Sequence, residues 1–374
     1  MAVRTREDYE HLLAAVGVCV SLRIPVLLWG EPGSGKTAAV ESAAKLGWHV
    51  ETLIISHYEP SDFTGLPMLA DGQVAFAPPS WAIRLRDNPG PSIAFFDEFS
   101  TASPALQAAA LRPLTHYQIG DLQLPDTVSF VAAANPADVA AAGWELAAPT
   151  ASRFVHLDWD LPLEVYTECL VTGEWPALPL RLEPPGFPAA LDQWRSHLAG
   201  FLRARSTQLS VIPKDAVSRG RAFPTPRTWD YATRAAAFAS AAGQPKTVVR
   251  LLVNGAVGEL VAHEFLTYVY TTDLPDPEDV LARGCDFTAL RPDRVYVVLQ
   301  AVLAAVRRHP SPDRWERAVT VCAEAAAQVG IDPAVPVVRA LLRPGVRPAK
   351  AALPPGLKVF APVLALAGLL PQEV

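Results

Sequence analysis

Residues 30–37 read Gly-Glu-Pro-Gly-Ser-Gly-Lys-Thr and match the phosphate-binding pattern G-x-x-x-x-G-K-[ST]. The apolar run 24–29 before this loop predicts a buried strand, and the alanine-rich stretch 37–46 after it predicts a helix. In that setting glycines let backbone N–H groups converge on a phosphate at a helix N-terminus. A plain glycine turn before a helix is the simpler alternative, but the flanking strand and helix favour a phosphate site. The nucleotide is expected to contact the whole loop: Gly30, Glu31, Pro32, Gly33, Ser34, Gly35, Lys36 and Thr37.

Within this loop two side chains have distinct expected tasks. Lys36 is expected to reach the β- and γ-phosphates, and the Thr37 hydroxyl is expected to ligate Mg²⁺.

The second motif is an acidic pair that lies about sixty residues further on, where residues 93–98 read Ile-Ala-Phe-Phe-Asp-Glu. A continuous apolar run predicts a strand buried on both faces, and its carboxyl end is where open α/β sheets bind ligands. We expect Asp97 to hold Mg²⁺ through water and Glu98 to polarise the water that attacks the γ-phosphate. Alone, such a pair would only mark a strand leaving the core. Together with the phosphate loop it predicts ATP or GTP hydrolysis.

The composition fits a well-packed globular protein. The chain has 374 residues, of which 50% are hydrophobic and 19% charged, so two or three domains with proper cores are expected. The net charge of −6 argues against a general nucleic-acid coat, although arginines between 203 and 234 leave room for a local phosphate-binding face. The sequence holds no apolar segment near the roughly 20 residues needed to span a bilayer.

The cysteines point to a reducing compartment. Cys19, Cys169, Cys285 and Cys322 are far apart and form no C-x-x-C pair, which predicts reduced thiols without a disulfide frame or zinc site. A cytoplasmic location is therefore expected.

The order of elements predicts an α/β domain followed by helices. Over residues 1–160, strand candidates alternate with helices, which predicts a three-layer domain with a five-stranded, mainly parallel sheet. We expect a helical lid at 161–270, a helical C-terminal extension at 271–342, and a proline-rich basic linker with an apolar tail at 343–374. The tail either docks on a neighbouring subunit or partner, or folds back on its own helical domain. The five strand candidates are 24–29, 50–55, 93–96, 128–133 and 154–157.

Two polar residues beside these strands are candidate catalytic groups. Asn135 follows the apolar run 128–134, where its amide is expected to position the attacking water, although Asn-Pro is also a common turn. Arg153 precedes the fifth strand and is expected to reach the γ-phosphate of the next subunit. A surface salt bridge is the alternative for this arginine.

Arg227 is a candidate nucleotide contact from the helical part. It follows Thr225 and Pro226, a cap-and-proline helix start that would aim its guanidinium toward the nucleotide. The neighbouring Arg219 and Arg221 lack that placement.

These features occur in the order and spacing typical of AAA+ ATPases, and more narrowly the chain resembles the MoxR family. The resemblance covers about residues 1–265. It depends on segments 28–37, 62–65, 108–116, 118–124 and 131–136. It implies a P-loop AAA+ domain with an inserted β-hairpin at 66–77 and a second hairpin at 118–124. It also implies ATP with Mg²⁺ held between subunits of a ring, expected to be a hexamer, with Arg153 acting in trans.

Two departures indicate a divergent branch of that family. Phe99-Ser100 follows the acid pair where Ile-Asn is usual, and Ala151-Ser152 precedes Arg153 where Leu-Asp is usual. MoxR-like proteins often mature or remodel a client protein, in a chaperone-like way, with a von Willebrand A-domain partner.

The leading interpretation is therefore an ATP-driven remodelling ATPase. An ATP-gated scaffold that assembles with partners and hydrolyses slowly is the alternative. A DNA-acting motor is disfavoured by the acidic net charge and the lack of a recognisable DNA-binding module. A small-molecule kinase would leave Asn135 and Arg227 unexplained.

Overall fold

The computed structural model describes residues 5–70, 72–136, 143–180, 183–271, 274–349 and 351–366. The chain divides into two compact units, the first formed by Met1–Phe187 and Gln208–His263 and the second by Pro188–Thr207 and Glu264–Val374.

The first unit is built on a five-stranded sheet. Its strands are β1 (Val26–Trp29), β2 (His49–Ile54), β5 (Ser92–Asp97), β8 (Val128–Ala134) and β9 (Val155–Asp158). Neighbouring strands are all parallel, in the order β2-β5-β8-β1-β9. The predicted α/β fold class is thus confirmed, since every strand candidate corresponds to a strand of this sheet.

Two hairpins lie outside this sheet. β3 (Leu66–Ala70) pairs with β4 (Gln73–Ala77), and β6 (Gln118–Ile119) pairs with β7 (Leu122–Gln123), both antiparallel. These are the two hairpins that the family resemblance implied. They are joined, because Asp121 donates its N–H to the carbonyl of Phe76 (3.1 Å) and accepts the Phe76 N–H on its carboxylate (2.7 Å).

Helices cover both faces of the sheet, as a parallel sheet requires. One face packs Leu27, Phe96 and Phe130 against Trp81 and Leu106 of two flanking helices, while the first helix packs on the other side of the two central strands. The helices of this unit are α1 (Arg6–Ser21), α2 (Lys36–Glu41), α3 (Ser61–Thr64), α4 (Ser80–Asp87), α5 (Pro104–His116), α6 (Ala148–Ala151) and α7 (Leu163–Thr172).

Further helices complete the first unit and begin the second. They are α8 (Phe187–Ala204), α9 (Ala216–Arg219), α10 (Pro226–Ala241), α11 (Lys246–Val257) and α12 (Glu259–Thr271). A single helix over 247–265 would suit the apolar pattern, but the structure breaks it at Gly258, whose φ is 84°. Helix α12 has residues in both units, and α8 lies in the second apart from Phe187.

In its described residues the second unit continues with helices, and it includes the described part of the tail. Leu357, Phe360 and Leu364 are buried in the same core as Trp315, so residues 351–366 fold back on their own helical unit. Residues 367–374 lie outside the described part of the chain. The helices are α13 (Pro277–Arg283), α14 (Pro292–Arg308), α15 (Pro312–Val329), α16 (Val335–Leu341) and α17 (Ala361–Leu366).

Candidate nucleotide-binding site

The phosphate loop connects β1 to α2 at the carboxyl end of the sheet. Gly33 and Gly35 have φ values of 75° and 83°, a left-handed backbone that other residues adopt only with strain. Gly35 is the N-cap of α2, and Lys36 is the first residue of that helix. The loop therefore has the strand-to-helix setting in which backbone N–H groups and the helix dipole bind an anion.

The Lys36 side chain lies over its own loop. Its Nζ donates to the carbonyls of Gly30 (2.7 Å) and Glu31 (2.8 Å) and to Asn135 Oδ1 (3.2 Å). Burial lowers the pKa of this ammonium from its usual value, while the nearby charges of Asp97 and Glu31 act in the opposite direction. Three oxygens thus hold a buried cation at the place where phosphate oxygens are expected.

The acidic strand β5 meets this loop through a direct contact. The Thr37 hydroxyl donates to Asp97 Oδ2 at 2.7 Å, and Asp97 Oδ1 accepts the backbone N–H of Glu98 at 2.9 Å. Glu98 has a left-handed backbone with φ of 56° and an exposed side chain, whose Oε2 accepts the Ser56 hydroxyl at 3.4 Å. Strain at a non-glycine residue is concentrated at functional sites, which fits a catalytic carboxylate here.

Asn135 completes this cluster at the end of β8, between β5 and β1. Its backbone N–H donates to Ser100 Oγ at 3.1 Å, and its side-chain oxygen accepts from Lys36. The structure therefore brings Lys36, Thr37, Asp97 and Asn135 together, as the sequence predicts, with Glu98 at their edge.

The donor set fits magnesium. A hydroxyl and a carboxylate in contact are hard oxygen ligands, and Mg²⁺ is usually held by one or two carboxylates plus substrate phosphates. Among the described residues, no group of three or more His, Cys, Asp or Glu could hold a metal alone. Thr37 and Asp97 are thus suited to a cation that arrives with a nucleotide.

Two aromatic residues support the loop in a way that the motif did not reveal. The Trp159 indole donates to the Ser34 carbonyl at 2.9 Å, and a side chain at Gly30 would lie 2.6 Å from the Trp159 carbonyl. Trp29 lies under the Arg221 guanidinium, 4.1 Å from the ring centroid, and Arg221 also pairs with Asp158 at 2.9 Å. The sequence signals that could have predicted this support are the tryptophan immediately before the loop and the one just after the fifth strand.

Arg153 and Arg227 lie together but not at this site. Arg153 donates to Thr115 Oγ1 (2.6 Å) and to the Pro149 carbonyl, and Arg227 donates to Ser152 Oγ (3.3 Å). Burial and the Arg227 charge both lower the Arg153 pKa from its usual value.

The strand register shows which end of the sheet these arginines occupy. Because Val155 pairs with Val26 and Asp158 with Trp29, residues 152–153 stand at the amino end of β9, whereas the phosphate loop follows the carboxyl end of β1. Four residues of strand separate the two ends by roughly 13 Å. Helix α10 begins beside Ser152, at the opposite end of the sheet from Lys36, so contact between Arg227 and a nucleotide stays a prediction.

His156 is a buried, neutral side chain between these ends. Its Nδ1 accepts the Trp29 indole N–H at 3.0 Å and its Nε2 lies 2.9 Å from the Ala151 carbonyl, so the Nε2–H tautomer satisfies both contacts. Burial lowers its pKa from 6.5 to about 4.

This burial predicts a loss of stability in acid. Between these two pKa values the unfolded chain binds a proton that the native chain does not, so the free energy of unfolding falls as pH drops from 6.5 toward 4. The histidine contributes up to about 3 kcal/mol to that fall. Urea unfolding of His156→Gln should show a shallower pH dependence than wild type, and the exposed His57→Gln should match wild type. Equal slopes in all three proteins would contradict the prediction.

Residues 25–154 match the family described as AAA domain (dynein-related subfamily). No protein of curated function matches the sequence. Among the described residues, no helix is long and apolar enough to cross a membrane.

The solved structures show weak overall similarity. A candidate ATPase from Cytophaga hutchinsonii is 16% identical, with a TM-score of 0.44 over 72% of this chain and 91% of that one. A full-length MCM homologue from Methanopyrus kandleri is 20% identical, with a TM-score of 0.34 over 67% of this chain and 55% of that one. A point mutant of Thermotoga maritima RuvB is 16% identical, with a TM-score of 0.30 over 90% of this chain and 89% of that one. Residues 25–154, which hold four of the five strands of the sheet and the loop around Lys36, are thus similar to the AAA domain of the dynein-related subfamily.

Proposed function

We propose that the chain hydrolyses ATP at composite sites between subunits of a ring, with six subunits as the expected number. The supporting observation is the separation of the predicted site residues. Lys36, Thr37, Asp97 and Asn135 cluster at the carboxyl end of the sheet, while Arg153 and Arg227 stand together beyond its amino end. A site at one end and arginines at the other suit a head-to-tail contact between subunits, and such a contact forms a ring when its rotation closes.

In this proposal the chain's own residues divide the work of phosphoryl transfer. ATP draws the Lys36 ammonium away from the Gly30 and Glu31 carbonyls and onto the β- and γ-phosphates. Glu98 accepts a proton from the attacking water, and the freed amide of Asn135 orients that water. Thr37 and Asp97 would hold the Mg²⁺ that arrives with ATP, and this ion would supply positive charge against the phosphates. Arg153 and Arg227 of the adjoining subunit stabilise the charge that develops on the γ-phosphate.

The proposed output is work on a client protein. Leu66, Met68, Leu69, Val74 and Phe76 of the β3–β4 hairpin are all exposed, and exposed apolar patches favour contact with protein. Residues 66–77 contain no lysine or arginine, which disfavours nucleic acid as the target. A chaperone-like role with a von Willebrand A-domain partner follows from the MoxR resemblance. The alternative remains an ATP-gated scaffold, although Leu357, Phe360 and Leu364 of the tail are buried in the chain's own helical core, which does not favour it.

A Glu98→Gln variant tests this proposal. It should bind ATP with near-wild-type affinity but turn it over at least about 100-fold more slowly, since an amide cannot accept the proton from water. Trapped in the ATP state, it should assemble into a species of about six subunits, measured by light scattering with and without ATP and Mg²⁺.

Glu59→Gln is the matched control, because it makes the same chemical change at an exposed glutamate three residues after Ser56, whose hydroxyl contacts Glu98. It should hydrolyse ATP like wild type. Normal turnover in Glu98→Gln would remove Glu98 from its assigned role. A mass that ATP does not change, despite measured ATP binding, would contradict the ring and favour the scaffold.

A further inference from the structure

We propose that Ser100 is the positioning residue that holds Asn135 in register with the catalytic acids. The inference rests on the proposed ATP hydrolysis. It concerns the position where the chain departs from the MoxR pattern, with serine in place of asparagine.

Ser100 lies in a tight turn directly after the two acids. A 3₁₀ turn, Phe99–Thr101, follows the left-handed Glu98, and the Glu98 carbonyl accepts both the N–H and the hydroxyl of Thr101 at 2.8 Å. Ser100 itself is only 2% exposed. Its hydroxyl oxygen is therefore fixed relative to the acid pair.

That hydroxyl reaches the neighbouring strand. Ser100 Oγ accepts the Asn135 backbone N–H at 3.1 Å, one residue beyond the end of β8. On the other side, the Gly30 N–H donates to the Ala134 carbonyl at 3.1 Å. The backbone entering Asn135 is thus held between the phosphate loop and the acid turn, and Pro136, which has no N–H, follows it.

With this arrangement the Asn135 side chain can change partner when a nucleotide binds, while the Asn135 backbone keeps its position. The Asn135 side-chain oxygen contacts Lys36 Nζ at 3.2 Å and loses that contact when Lys36 turns to phosphate. Its backbone N–H stays bonded to Ser100. The amide therefore becomes free to turn toward water near Glu98 without losing its place. Small displacements of catalytic groups cost large rate factors, so this bond is expected to affect turnover more than binding.

A second bond of Ser100, made by its backbone carbonyl, joins the acid turn to the segment that leads to Arg153. The Ser100 carbonyl accepts the Trp144 N–H at 2.7 Å, and the buried Gln107 accepts the Ala147 N–H at 3.1 Å. The Ser100 hydroxyl could stabilise this turn without any effect on catalysis. The test therefore compares turnover with ATP affinity, because a purely structural role would not lower turnover alone.

The first test is steady-state hydrolysis by Ser100→Ala. Turnover should fall about 10-fold while ATP affinity stays within about 3-fold of wild type, because the lost bond acts after the phosphates are bound. Ser129→Ala is the matched control. Ser129 is equally buried, is the second residue of β8 and so lies near the strand's other end, and donates to the Val20 carbonyl at 2.8 Å. It should keep wild-type turnover. If Ser100→Ala does not fold, Ser100→Cys, a near-isosteric weak acceptor, replaces it.

The second test is a double-mutant cycle with Asn135→Ala. If Ser100 acts through the Asn135 amide, removing the hydroxyl should slow turnover no further in the Asn135→Ala background. Additive losses, unchanged turnover in Ser100→Ala, or equal losses in affinity and turnover would each overturn the inference. Absence of hydrolysis by the wild-type protein would instead contradict the proposed function itself, so the two failures are distinguishable.

Discussion

Replacing Lys36 with alanine is expected to weaken ATP binding by about 100-fold or more, and hydrolysis should be lost with it. The ammonium lies against the loop carbonyls of Gly30 and Glu31 and against the Asn135 side chain, and Lys36 as a residue is 7% exposed. Charge-assisted hydrogen bonds to two phosphates contribute about 3 kcal/mol, which corresponds to that factor in affinity. Titration with a fluorescent ATP analogue measures it directly.

Two further variants test whether the charge of Lys36 is what binds the phosphates. Lys36→Met retains the length and burial of the side chain without its charge, and it should lose affinity as Lys36→Ala does. Lys45→Ala removes an exposed lysine nine residues further on and should bind ATP normally. Wild-type affinity in Lys36→Met would show that the charge of Lys36 does not hold phosphate, and the assignment of the loop would be wrong.

The sheet and the phosphate end of the site were predictable because their sequence signals are local. Buried parallel strands are continuous apolar runs, and each functional group directly follows one: the loop after β1, the acids at the end of β5, Asn135 after β8. Parallel strands place their carboxyl ends at one edge of the sheet. The apolar runs of β1, β5 and β8 were therefore enough to predict that Lys36, Thr37, Asp97 and Asn135 lie together, and no knowledge of contacts between distant residues was needed.

The position of Arg227 was not predictable in this way. A threonine cap followed by proline shows where α10 begins, and the structure confirms that start, with Thr225 accepting the Thr228 N–H. It does not show which end of the sheet the helix faces, because that depends on how the 67 residues between Asp158 and Pro226 pack. The support of the loop by Trp159, which donates to the Ser34 carbonyl, was missed for the same reason.

Mixing two inactive variants tests whether the arginines act between subunits. Arg153→Ala should reduce hydrolysis by about 1,000-fold, the lower range for an arginine that completes a phosphoryl-transfer site in trans. Mixed with Glu98→Gln, activity should return, because some contacts then join an intact Glu98 to an intact Arg153. With equal amounts and random assembly, about one quarter of contacts qualify.

The same experiment with Arg227→Ala separates the two places where that arginine could act. If Arg227 serves the neighbouring subunit, as its bond to Ser152 beside Arg153 suggests, mixing with Glu98→Gln restores activity. If it serves its own nucleotide, no mixed contact holds both intact residues on the required subunits, and activity stays lost at every ratio.

The control for a structural role of Arg153 is Thr115→Ala. This change removes the 2.6 Å contact to Arg153 Nε but leaves the guanidinium in place. If Arg153 only braces the start of β9, Thr115→Ala should impair hydrolysis as Arg153→Ala does, and no mixture with Glu98→Gln should recover. If Arg153 acts in trans, Thr115→Ala should hydrolyse ATP nearly as wild type does, and the mixture of Arg153→Ala with Glu98→Gln should recover activity. The reason is that the charge of Arg153, and not its bond to Thr115, would act on the neighbouring γ-phosphate.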